Sequence, residues 1–190
     1  GAKGRETMVR VEIKGLVVNV STLAPVVVLR SEDGGVLPIV IGFFEAQAIL
    51  LGLEKAAIPR PLTHDLMRII LEKLGGKLLR LEIHSLKESV YYAHLVVQHQ
   101  GEVKVIDCRP SDGLALALRC QVPIFASEEL LENADTIKEY EGKKFLKSNE
   151  LDQPIDAREA EEFRKIIEGL SARDFWKQLK KESESETEET

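Results

Sequence analysis

The stretch DCRPSDGLALALRCQVPIF, residues 107–125, constrains the fold of this chain more than any other. It compresses a strand end, a charged turn and a helix start into six residues before an apolar run begins. Asp107 closes a predicted strand. Pro110, with its fixed φ, sits just ahead of a predicted helix, and Ser111 is placed to accept a hydrogen bond from an orphan backbone N–H of the next turn. The result is a strand-to-helix corner where Asp107, Arg109 and Asp112 gather beside outward-pointing helix amides. Such a corner suits a phosphate or a hydrated cation. A plainer reading needs no ligand: Asp112 complements the helix dipole and Arg109 pairs with Asp107.

Alternation and turn chemistry order the segments before that corner. Residues 1–7 read as a flexible leader. From Met8, Val9, Val11 and Ile13 alternate with Arg10, Glu12 and Lys14, as in a half-buried strand, and Gly15 marks a bulge. PVVVLR and VLPIVI flank the turn SEDGG and form a predicted hairpin, with Pro38 at an edge or irregularity. GFFEAQAILLGLEKAA switches to helical spacing, with Phe44, Ala48, Leu51 and Lys55 on one side and Glu45 in the first turn. After the break IPRP, Thr63 is the predicted N-cap of THDLMRIILEKLGG, which ends at a glycine pair. Strands over 78–85 and 90–98 flank a turn near Lys87 to Ser89, and a turn at HQGE leads to VKVID and the corner. A short helix is expected over 127–134. Two more are expected over 157–170 and from Ser171, where Asp174 completes a capping-box-like start. Phe163, Ile166, Ile167, Leu170, Phe175, Trp176 and Leu179 give these an apolar face.

Charge narrows the partners. The formal net charge of −6 divides unevenly: residues 1–150 hold 19 Lys/Arg and 20 Asp/Glu, and residues 151–190 hold 7 and 12. The acidity is a tail property, and 181–190 reads as a disordered acidic tail. No long basic stripe predicts tight, salt-driven binding to nucleic acid. The sequence has neither a secretory leader nor an apolar run long enough to span a bilayer, so a cytoplasmic protein is expected. Cys108 and Cys120 lack a CxxC partner, which leaves two free thiols rather than a zinc or dithiol site.

Four separated motifs, PIVIGFFEAQAI (38–49), PRPLTHDL (59–66), IHSLKESVYYAHL (83–95) and the corner at 107–125, resemble the bifunctional nuclease family. The resemblance spans roughly residues 8–135. It implies an α+β fold with a mixed, strongly bent β-sheet and packed helices, and an activity that degrades both DNA and RNA. Many bacterial members add a C-terminal UVR-type helical segment. Here residues 136–180 take that place as a helical C-terminal extension, which implies a protein partner at that end. Exposed strand edges and this extension also lead us to expect a homo-oligomer.

Phosphodiester hydrolysis needs an activated water, neutralised phosphate oxygens and a stabilised leaving oxygen. Among residues in the family-like motifs, His64, Asp65 and Asp112 are the candidate catalytic groups. Arg60, Arg109 and Ser111 are candidates for substrate binding, and Glu45, Asp107 and Asp112 for holding Mg²⁺ or Mn²⁺. Each also has a structural reading: Glu45 as dipole compensation, His64 as a side chain bonded to a neighbouring carbonyl or carboxylate. His84 and His94 are expected on a strand surface, and Tyr91 and Tyr92 in packing rather than base stacking. Two rivals to a nuclease stay open. One is a non-enzymatic regulatory or assembly domain that recruits a partner through its C-terminal helices. The other is a hydrolase of small phosphoesters.

Overall fold

Two antiparallel blocks of strands arise from the alternating segments, and one short strand joins them. The structure, a computed structural model, describes residues 7–18, 24–55, 57–132 and 158. The helices expected over 157–170 and from 171, the extension and the acidic tail lie outside the described residues apart from Arg158, as does the leader apart from Thr7.

The first block is β1 (Met8–Val18), β2 (Pro25–Ser31) and β3 (Val36–Val40). β1 buries Val11 and Ile13 and leaves Arg10 and Glu12 exposed, as alternation requires. Its register against β2 shifts between Ile13 and Gly15, the bulge expected at that glycine. β3 ends the sheet, so Pro38 costs no ladder bond between two neighbours. The second block is a meander of β4 (Gly76–Lys87), β5 (Val90–His99) and β6 (Glu102–Cys108). Both of its turns are two-residue loops with positive φ throughout, at Glu88 and Ser89 and at Gln100 and Gly101. Their backbone matches the right-handed twist of the strands they join.

β7 (Ile124–Ser127) was not expected from the sequence. It pairs antiparallel with β1 and parallel with β4, giving the order β3-β2-β1-β7-β4-β5-β6. The seven-stranded sheet is therefore mixed, and the architecture is α+β. Three helices pack on the sheet: α1 (Phe43–Glu54), α2 (Thr63–Lys73) and α3 (Pro110–Cys120). α3 is central, touching α1, α2, β4 and β5, with Leu114 to Ala117 wholly or almost wholly buried. Gly113 allows this approach, because a Cβ there would lie 2.4 Å from Leu81 Cδ1 and 3.2 Å from Cys108 Sγ.

Three local expectations are corrected. Leu62, not Thr63, is the N-cap of α2: its backbone is extended (φ −83, ψ 179) after Pro61, and Thr63 is already helical. Arg109 is the N-cap of α3. Proline at the first helical position needs no N–H, so the cap falls on the residue before Pro110 and Ser111 is left buried inside the first turn without a cap bond. The stretch at 127–134 forms only a 3₁₀ turn, Glu128–Leu130, before Glu132 bridges to Val36 beside β3. Short 3₁₀ turns are common where a chain has too few residues to propagate an α-helix.

Candidate functional site

The starts of all three helices meet at one place. Glu45 stands in the first turn of α1, His64 and Asp65 in the first turn of α2, and Asp112 in the first turn of α3 with its N-cap Arg109. Arg109 Nε donates to Asp112 Oδ2 at 2.8 Å, and its Nη1 donates to Glu45 Oε1 at 3.1 Å. The other Asp112 oxygen bonds His64 Nε2 at 3.0 Å. One line of groups thus runs Glu45, Arg109, Asp112, His64. It lines a groove of about 340 Å³ whose apolar wall is formed by Phe44, Ala48, Leu51 and Leu62.

The two ends of this line differ in exposure. The Arg109 side chain is 64% exposed, whereas that of His64 is 9% exposed. Burial alone would raise the Asp112 pKa, but hydrogen bonds from Arg109 and His64 outweigh it and hold the carboxyl below its ordinary range. Donating to Asp112 raises the Arg109 pKa in turn. A carboxylate on Nε2 selects the imidazole tautomer protonated there and leaves Nδ1 as an acceptor.

Arg119, which sequence reasoning missed, locks the helices together. Its side chain is 7% exposed, with Nε donating to Asp65 Oδ1 at 3.0 Å. Nη1 donates to the carbonyls of Ala48 at 2.9 Å and Ala115 at 2.8 Å. The second oxygen of Asp65 accepts from the Leu62 N–H at 3.0 Å, capping α2 from inside the helix. Gly52 makes room for this fork, since a Cβ there would lie 2.9 Å from Arg119 Nη1. One guanidinium therefore ties α1, α2 and α3. Two signals pointed to it: Arg119 follows Asp112 by two helical turns on the same face, and a glycine interrupts α1.

Of the expected site residues, Glu45, His64, Asp65, Arg109 and Asp112 come together. Arg60 is exposed on the loop before α2 and does not line the groove. Ser111 is buried within the first turn of α3. Asp107 lies on β6 opposite His94, and Arg109 pairs with Asp112 and Glu45 instead of with it. A divalent cation does not fit this arrangement. The Arg109 guanidinium bridges Glu45 and Asp112, and among the described residues no three His, Cys, Asp or Glu side chains converge on one point.

A second polar cluster stands on the sheet face away from the helices. His94 Nε2 bonds Glu82 Oε2 at 2.6 Å, Arg80 pairs with the same carboxylate, and the His84 and His94 rings lie 4.7 Å apart. These groups are part-buried rather than freely exposed. Tyr91 packs against the core, whereas Tyr92 is 39% exposed under Lys87.

Comparison with known proteins agrees with the resemblance of the motifs. The sequence model of the bifunctional nuclease domain matches residues 27–139. An uncharacterized protein of Mycobacterium tuberculosis (strain ATCC 25618 / H37Rv) is 36% identical over 169 residues, covering 88% of this chain and 98% of that protein. Bifunctional nuclease 1 of Oryza sativa subsp. indica is 30% identical over 112 residues, which cover 56% of this chain and 34% of the plant protein. Bifunctional nuclease 1 of Arabidopsis thaliana is 25% identical over 138 residues, covering 70% and 40%. The chain thus spans well under half of either plant protein. The matched domain contains β2 from Val27 onward, β3 to β7, the three helices and every residue of the groove, and on that ground this chain belongs to the bifunctional nuclease domain family.

Proposed function

We propose that the groove hydrolyses phosphodiester bonds in DNA and RNA. The observation that carries the reading is the contact of an exposed guanidinium with a carboxylate that also holds a buried imidazole. Phosphate seats against the N–H groups of Arg109 that Asp112 and Glu45 leave open. His64 Nδ1 takes the proton of a water whose oxygen attacks phosphorus, and the imidazolium that forms is stabilised by Asp112. The bond to the leaving oxygen breaks as that oxygen gains a proton from the imidazolium or solvent. Arg119 and Asp65 are positioning residues: they fix the spacing of α1, α2 and α3 and touch no reacting atom.

Mg²⁺ or Mn²⁺ would enter only after Arg109 leaves its two carboxylates, so the reaction is assigned to His64, Asp112 and Arg109. The cytoplasmic setting is part of the same proposal, supported by Cys108 and Cys120 being free thiols. Among the described residues no helix is long and apolar enough to cross a membrane. The rival reading, a non-enzymatic assembly domain, draws support from Arg109 being paired on both sides, as in an ion-pair lock between α1 and α3. The two are separated by incubating the full chain with labelled DNA, labelled RNA and a small phosphodiester, each with Mg²⁺, Mn²⁺ or EDTA. Polymer cleavage supports the nuclease. Turnover of the small ester alone makes the chain a small-molecule hydrolase, and no turnover under any condition favours the assembly domain.

A further inference from the structure

The two edges of the sheet are built differently. β3 is a five-residue strand interrupted by Pro38, and Glu132 exchanges backbone hydrogen bonds with Val36 on its outer side, at 2.9 and 2.7 Å. Short length, proline and a covering segment are the usual protections of an edge. β6 has none of them among the described residues. It is seven residues long, free of proline, and pairs with β5 in unbroken register. Val103 and Val105 are 60% and 61% exposed on one of its faces, and Ile106 is 47% exposed on the other. Its one cation, Lys104, pairs with Glu102 on the same strand at 3.2 Å. Beside β6 runs an apolar groove of about 440 Å³ between the sheet and α2, lined by Ile70, Leu74, Leu95 and Ile106 among others. A long, regular edge with exposed apolar side chains on both faces is a template for another strand.

We propose that β6 pairs antiparallel with β6 of a second copy of this chain, so that the two seven-stranded sheets become one. Two features select a second copy over the chain's own C-terminal segment. Glu132 pairs on the outer side of β3, seven strand spacings from β6, or roughly 34 Å along the sheet. The apolar residues of 163–179 also recur at helical spacing, which suits a groove but cannot satisfy a backbone edge, whereas an identical edge satisfies itself. A two-fold axis perpendicular to the sheet keeps each face continuous and so pairs residues of equal parity. With Val105 on the axis, all seven residues of β6 find partners. Val105 meets its own copy, Val103 meets Asp107, and Lys104 meets Ile106.

The full chain is tested by sedimentation and light scattering over a wide concentration range. Wild type is expected at twice its 21.3 kDa mass. Val105→Arg sets two like charges on the axis and is expected to run at the mass of one chain with an unchanged circular dichroism spectrum. Should that variant not fold, Val105→Cys with Cys108→Ser and Cys120→Ser decides. Directly opposed residues of an antiparallel pair lie about 4.5–5.5 Å apart at Cα, within disulfide reach, so mild oxidation is expected to give a covalent dimer. A monomer at every concentration overturns the proposal. So does a dimer that neither Val105→Arg disperses nor Val105→Cys cross-links.

Discussion

At the residue scale the account turns on Asp112, whose two oxygens serve His64 and Arg109 at once. Its carboxyl pKa lies below the unfolded value in the folded chain, held there by those two partners against the cost of burial. The stability this contributes is fully present above the unfolded pKa of about 3.9 and is lost as pH falls through the folded value. Asp112→Asn is therefore expected to flatten the acid side of the stability profile, read by urea unfolding from neutral pH downward. Equal acid sensitivity in both proteins would contradict the pairing. Nearby, burial and then the charges of Asp107 and Asp112 push the Cys108 thiol up to about 12. The folded protein is expected to protect Cys108 from iodoacetamide at pH 8, with rapid labelling after unfolding. Asp112, Arg109 and His64 were legible because they stand in short charged motifs at helix starts. Arg119 was not, because one cation in the last turn of an apolar helix reads as a dipole complement until the fold brings Asp65 and Ala48 to it.

At the element scale the hairpins were legible and the central strand was not. Period-two alternation in β1, the SEDGG turn and the positions of both meander turns all follow from local chemistry. β7 has four residues, too few to establish a period, and both of its partners are far away in sequence. Local chemistry also leaves room for improvement. Glu88 and Ser89 hold positive φ without glycine, at a cost of about 1 kcal/mol or more each. Replacing them with Asn and Gly is expected to raise unfolding stability by roughly 1 kcal/mol, measured by denaturant titration. Gly113→Ala acts in the opposite direction, because the wholly buried Leu81 has no space to yield to a new methyl. A loss of about 1–3 kcal/mol is expected. An unchanged midpoint would contradict the close packing of α3 on β4.

At the scale of the whole molecule, one four-residue strand joins two antiparallel blocks, and α3 packs on β4 and β5 of the second block. The family match begins at residue 27 and leaves out β1, yet β1 lies between β2 and β7 and contributes Val11, Ile13 and Leu16 to the core. Amides of β7 are therefore expected to exchange as slowly as those of β4, by hydrogen–deuterium exchange, since neither block closes without it. Fast exchange confined to β7 would show two independent blocks. The helices that frame the groove draw on both blocks, α1 on β2 and α2 and α3 on β4, so a rigid sheet is what holds Arg109, Asp112 and His64 in line. The most direct test of that site is cleavage of labelled DNA and RNA by wild type, Asp112→Asn, His64→Gln and Arg109→Ala, each shown to be folded. Asp112→Asn and His64→Gln are expected to lower kcat by at least about a hundredfold. Arg109→Ala is expected to raise KM as well. Wild-type cleavage by all three folded variants would place the activity elsewhere on the molecule.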